Sequence, residues 1–263
     1  MELPSLTVQQ RMIKKLRRFN GLMAALHFAQ GYLILILSGS FSLPITSAFV
    51  EFNTHTQSLE PVLRAHFQLQ IGPLVATFLF LSAFAHFCLA FLPTVRTWYE
   101  NNLKQGMNPA RWIEYAFSSS LMMVVIVMLT GMYDGIGLLL IFFLNMMMIL
   151  FGWVMELNNQ TTKKTNWTSY IFGCIAGLLP WIAVALYLFN AGEGEFKAPT
   201  FVYWIFFSIF ICFNVFAVNM VLQYKKIGKW QDYLYGERAY IILSLVAKSL
   251  LAWQVFAGTL RPM

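Results

Sequence analysis

Seven apolar stretches, each of about twenty residues, alternate along the chain with polar connectors. They run over residues 20–38, 69–92, 110–131, 136–156, 167–190, 200–223 and 238–259. A helix rising about 1.5 Å per residue needs roughly twenty residues to cross a ~30 Å hydrocarbon core, so each stretch predicts a membrane-spanning helix. The connectors are short except for residues 39–68. There, Pro44, Asn53 and Pro61 are turn cues and TSAFVEF (46–52) reads as a short strand, which predicts a small external hairpin. The expected fold is all-α and integral to the membrane: one seven-helix bundle over 1–263, with no soluble domain.

Composition agrees. The chain is 59% hydrophobic and 11% charged, about half the charge of a soluble globular protein. The first stretch follows a basic segment and mimics a secretory signal, with ITSA (45–48) as a weak cleavage cue. It also carries His27 and Gln30, which a disposable segment has no reason to hold. Cys88, Cys174 and Cys212 lie inside apolar runs without CxxC spacing and read as small buried hydrophobes.

Charge asymmetry predicts the orientation. Arg11, Lys14, Lys15, Arg17, Arg18, Arg96, Lys104, Arg111, Lys163, Lys164, Lys225, Lys226, Lys229 and Arg238 fall on one side, against Arg64, Lys197 and Arg261 on the other. The positive-inside rule then puts the N-terminus in the cytoplasm and the C-terminus outside. The net charge of +7 suits anionic lipid headgroups and calls for no nucleic acid. Trp98, Tyr99, Trp112, Trp230 and Tyr233 fit an aromatic belt on the cytoplasmic side.

The remaining cation, Lys248, stands alone in IILSLVAKSLLAW (241–253). It lies ten residues past Arg238, about 15 Å along a helix and so near mid-membrane. A lysine there costs about 2.5–3.5 kcal/mol, and its stem does not reach the interface from that depth. A buried anion, a water cavity or covalent chemistry on the amine must offset the cost.

The third stretch opens RWIEYAFSSSLMM (111–123), with Ser118 one turn after Glu114 and Arg111 one turn before it. A carboxylate stays ionised in lipid only beside a cation. Lys248 is the deep candidate and Arg111 the near one; spacing leaves both pairings open. Other polar residues recur at helical spacing: His27 with Gln30, Ser82 with His86, Asn145 with Met148 and Glu156, and Ser244 one turn before Lys248. A single buried histidine is most simply a packed core residue. Two in adjacent helices, with Glu114 nearby, predict a hydrated cavity that holds a proton, lined by His27, Gln30, His86 and Arg111. A zinc site would need a third ligand, and none has the spacing. Met122, Met148 and Phe213 around Lys248 predict an apolar slot for a long, flat ligand.

Seven helices with a mid-depth lysine on the last and a carboxylate on the third resemble the retinal-binding microbial rhodopsins. RWIEYAFSSS, LSLVAKSLLAWQV and the paired His27 and His86 are similar to heliorhodopsins in particular, as is the cytoplasmic N-terminus. The resemblance covers the whole bundle. It implies all-trans retinal bound covalently to Lys248 as a protonated Schiff base, with Glu114 as counterion and Ser118 and Ser244 beside the linkage. It implies His27, Gln30, Ser82 and His86 in a cytoplasmic-side polar cavity, and Asn145, Met148, Phe213 and Trp253 at or near the chromophore. Glu156 matches a family glutamate near the cytoplasmic end of the fourth helix. A homodimer in the cell membrane, signalling to an unidentified cytoplasmic partner, is implied as well.

Departures from light-driven pumps favour a photoreceptor over the alternative, a light-driven or light-gated ion transporter. Ser244 stands where pumps usually carry an aspartate, and Val125 where a proton donor is expected. A G-protein-coupled receptor would need an external N-terminus with DRY-like and NPxxY motifs, which are absent. A chromophore-free transporter lacks matched helix interruptions in its two halves. There is no nucleophile–base pair or metal set, so an enzyme is not expected.

Overall fold

The computed structural model describes residues 3–192 and 197–260; Arg261, counted above among the outer cations, lies outside the described residues. Helix α1 runs Leu3–Leu37, followed by strands β1 (Ser42–Asn53) and β2 (Ser58–Gln70) and helices α2 (Ile71–Phe91), α3 (Pro93–Lys104), α4 (Pro109–Leu129), α5 (Gly135–Asn158), α6 (Thr168–Phe189), α7 (Thr200–Tyr224) and α8 (Tyr233–Val255). Seven of these are long and apolar enough to cross a membrane, all but α3. Neighbours pack in order around a ring that α8 closes against α1.

Local chemistry marks several helix starts. Asn108 caps α4 by accepting the Arg111 N–H at 3.1 Å, with Pro109 in the first turn. Asp134 caps α5 through the Gly137 N–H at 2.7 Å, and Asp232 caps α8 through the Leu234 N–H at 3.0 Å.

Two elements differ from the sequence reading. The basic connector after α2 holds helix α3, too short and polar to cross a membrane. Its Tyr99 and Leu103 are buried against Ile13 and Leu16 of α1, which explains why α1 begins well before residue 20. Burial of Tyr99 holds its phenol well above the usual tyrosine range, so it stays protonated. The hairpin is also longer than the strand read at 46–52. Its two strands pair antiparallel from Ser42↔Gln70 to Asn53↔Ser58, with a bulge at Ile45/Thr46. Pro61 lies within β2 opposite Val50 rather than in a turn, tolerated because a two-stranded sheet has only edges. The hairpin is tied to the bundle where the Thr46 N–H donates to Tyr133 O at 2.9 Å.

The main core lies towards the hairpin end and joins Ile71, Phe78, Met123, Ile126, Val184 and Leu251 from four helices, α2, α4, α6 and α8. At the opposite end Trp112, Tyr115, Met155, Met220 and Tyr240 form a second cluster. Between them lie the buried polar groups.

Candidate functional site

Lys248 sits on the inner face of α8 with its residue 3% exposed. Its Nζ donates to Glu114 Oε1 at 2.7 Å and to Ser244 Oγ at 2.8 Å. Ser82 Oγ donates to the same carboxylate oxygen at 2.6 Å. The amine also faces the Tyr115 ring, 5.2 Å from its centroid. Of the two pairings the sequence left open, Glu114 makes the one with Lys248. The lysine stem leans back towards the start of α8, as helical side chains do, which helps it reach a carboxylate only six residues into α4.

Lys248 borders a cavity of about 220 Å³ enclosed by α4, α5, α6, α7 and α8. Ser118, Met122, Met148, Phe213 and Ser244 all line it, as expected. So do aromatic residues that were not singled out, Tyr115, Trp181, Phe210, Phe216 and Tyr240, and Trp112, which the sequence reading had placed in the aromatic belt. Trp181 meets Phe210 and Phe213 edge to face, with centroids 5.2 and 5.6 Å apart, and this stiffens one wall. Glycines let the walls close in. A Cβ at Gly152 would collide with the Trp112 ring, and one at Gly177 with Met148 Sδ. Ser118 Oγ and Tyr240 OH are buried without a hydrogen-bond partner. An apolar, ring-walled chamber with a buried amine at its edge fits a long polyene aldehyde such as retinal.

Other expected residues fall elsewhere. Glu114 and Ser82 lie beside the lysine but do not line this chamber. Asn145 stands behind its wall, donating to Ser119 Oγ at 2.9 Å and Ser120 Oγ at 3.1 Å. Trp253 is a correction: it is 37% exposed and does not line the chamber. Its Nε1 donates to Gln30 Oε1 at 3.1 Å. That bond ties the half-buried Gln30 to α8 across its seam with α1, and not to His27 or His86. Helical periodicity does not say which polar residue will turn outward to meet a neighbour.

His27 and His86 do come together. Their rings stack with centroids 5.7 Å apart and planes 4° from parallel. His86 Nδ1 is 2.7 Å from Asn20 Oδ1, and Asn20 Nδ2 donates to Tyr99 OH at 3.3 Å. Both ring nitrogens of His27 are buried without a partner. Among the described residues, no group of three or more His, Cys, Asp or Glu is placed to hold a metal.

Arg111 does border a small cavity with His86. The alternative pairing with Glu114 is not made; the guanidinium charge is taken by two other carboxylates. Nη2 donates to Glu156 Oε1 at 3.1 Å and Nη1 to Glu237 Oε1. The guanidinium lies over the Trp112 and Tyr240 rings, 4.3 and 3.9 Å from their centroids. Glu237 was overlooked because it adjoins Arg238 in a segment read as a polar connector. The start of α8 at Tyr233 carries it a full turn into the buried bundle. A small cavity of about 30 Å³ touches Asn20, His86, Glu114, Asn108 and Arg111, so it lies between the lysine site and this arginine cluster.

No curated protein matches the chain. The family model for heliorhodopsin matches residues 16–260, and with the lysine, its carboxylate and the apolar chamber described, the chain belongs to the heliorhodopsins, retinal-binding photoreceptors of the rhodopsin type in the membrane.

Proposed function

We propose that the protein is a light sensor in which all-trans retinal is bound covalently to Lys248, with Glu114 as its counterion. The observation that carries this is the Lys248 amine, buried at the edge of the 220 Å³ chamber and 2.7 Å from Glu114 Oε1. When bound, retinal supplies visible absorption and a light-driven change of shape. The protein's own residues do the rest. Glu114 balances the positive nitrogen, and Ser82 and Ser244 fix its geometry through their hydroxyls. The aromatic walls select a flat, extended ligand and exclude water. Ser118 Oγ, without a protein partner, offers a hydroxyl towards the ligand.

The reading further places the N-terminus in the cytoplasm, from the basic residues on that side, and takes the active unit as a homodimer of single-domain chains. The cytoplasmic surface around Lys225, Lys226 and Lys229 faces an unidentified signalling partner. Sustained ion pumping is not part of it. Val125, on the far side of the counterion, is buried with 0% exposure in an apolar core, which leaves no proton donor on α4 in that half.

The test is expression with all-trans retinal. The wild type should be coloured, Lys248→Ala should fold but stay colourless, and illuminated cells should show no sustained photocurrent. A coloured Lys248→Ala protein refutes the linkage; a sustained photocurrent that Lys248→Ala abolishes refutes the sensor reading in favour of transport.

A further inference from the structure

The arginine cluster contains one guanidinium and two carboxylates. The side chains of Arg111, Glu156 and Glu237 are 4%, 3% and 1% exposed. Lys248, the other buried cation, is committed to Glu114 at 2.7 Å. If both carboxylates were ionised, the cluster would hold an uncompensated negative charge in a low-dielectric interior, which proteins avoid by taking up a proton.

Hydrogen bonding indicates where the proton resides. Glu156 accepts four bonds, from Asn108 N–H at 2.9 Å, Trp112 Nε1 at 2.7 Å, Tyr233 OH at 2.9 Å and Arg111 Nη2 at 3.1 Å. That fills the acceptor capacity of an ionised carboxylate, and three of the four donors have no lone pair to receive a carboxyl proton. Glu237 accepts from Arg111 Nη1 and from Asn108 Nδ2 at 2.6 Å, which leaves acceptor positions open. The other titratable groups around the cluster are the phenols of Tyr99, Tyr115, Tyr224, Tyr233 and Tyr240, neutral donors at physiological pH.

The cluster also lies close to the lysine site. Arg111 and Asn108 border the 30 Å³ cavity that Glu114 and His86 border from the other side, room for roughly two water molecules. Arg111 Nε, buried, has no protein partner. We propose that the cluster of Arg111, Glu156 and Glu237 holds one proton, resident on Glu237, and that across this cavity its acid senses the charge on the Lys248–Glu114 pair. The sequence had assigned proton holding to the cavity of His27, Gln30, His86 and Arg111, without Glu156 or Glu237. The response to light rests on the retinal reading above; the proton on Glu237 does not.

The experiment is infrared spectroscopy of the full chain in the dark at neutral pH, without retinal. Wild type should show the carbonyl stretch of one buried carboxylic acid. Glu237→Gln should remove it, and Glu114→Gln should keep it. A wild-type spectrum without that band overturns the shared proton, and so does a band that survives in Glu237→Gln. Thermal unfolding then assigns the site. Glu237→Gln swaps a neutral acid for a neutral amide and should leave the midpoint unchanged, whereas Glu156→Gln sets an amide against three N–H donors and should lower it. The reverse ranking overturns the assignment to Glu237. In retinal-loaded protein, the band should shift in light as the visible spectrum changes; a band that stays unmoved overturns the coupling to the Lys248–Glu114 pair. A colourless sample defeats the retinal reading and the light response with it, while the dark band still decides the shared proton.

Discussion

Breaking the Lys248–Glu114 pair from either side, and then from both, tests whether it is an energetic unit. The perturbations are Lys248→Met, Glu114→Gln and the double variant, all without retinal so that the amine is free. The pair is 2.7 Å apart with side chains 3% and 7% exposed, so water and salt screen it little. Removing one member of such a pair leaves a lone buried charge and costs about 3–5 kcal/mol, whereas replacing both with neutral groups is often close to neutral. Each single variant should lose about 3–5 kcal/mol, nearer the low end because the survivor can shed its charge by gaining or losing a proton. The double should recover most of that loss. The coupling of about 3 kcal/mol or more would stand well above the ~0.6 kcal/mol average for hydrogen bonds between membrane helices. Unfolding of the four proteins in mixed micelles, titrated with a denaturing detergent, measures the cycle. Losses that simply add to within about 0.5 kcal/mol would refute the reasoning and show that each group is stabilised by other neighbours, Ser82 for Glu114 and Ser244 for Lys248.

Two further outcomes follow from the site. Gly177→Val places carbon where Met148 Sδ now lies; overpacking of this kind costs about 1–3 kcal/mol, so retinal uptake read from visible absorbance should weaken roughly five- to hundredfold, and Met148→Ala should restore it. Replacing both stacked histidines, His27→Phe with His86→Phe, should change by several-fold the flash-photolysis kinetics of the light-induced form in which the Lys248 nitrogen has lost its proton; unchanged kinetics would reduce the pair to packing.

The transmembrane helices were legible because the signal is long and redundant: twenty apolar residues survive any error of a turn. The buried lysine and its carboxylate were legible for the opposite reason, since a lone charge in hydrocarbon has so few tolerable explanations. What failed is decided at edges. Helix α3 reads as a connector by composition, and only Tyr99 and Leu103, four residues apart, mark a face that α1 covers. Glu237 looked interfacial until α8 proved to start at Tyr233. Gln30 and Trp253 lie on predicted inner faces, yet they find each other at the seam of α1 and α8. A spacing of three or four residues gives a shared face, but the neighbour that face meets depends on helix rotation, which packing sets.

Helices α4 and α8 carry both charge clusters, and this bears on how an event at Lys248 would be felt elsewhere. Arg111 and Glu114 are one turn apart on α4; Glu237, Ser244 and Lys248 lie along one side of α8. The two helices are therefore joined by two ion pairs, Arg111 to Glu237 and Glu114 to Lys248, and by the Tyr115 OH, which donates to Tyr240 O at 2.9 Å between them. On the proposed reading, light weakens the second ion pair when the nitrogen loses its positive charge, while the first stays closed. A released α8 then moves relative to α4 by pivoting about the Arg111–Glu237 and Tyr115–Tyr240 contacts, which stand towards the basic end of the bundle. The segment at that pivot, Gly228–Gln231, carries Trp230, whose Nε1 donates to Asn219 Oδ1 at 2.6 Å, so α7 and the cations Lys225, Lys226 and Lys229 are coupled to the same hinge. A change of charge at one buried amine thus has a mechanical path to the basic surface without any ion crossing the membrane.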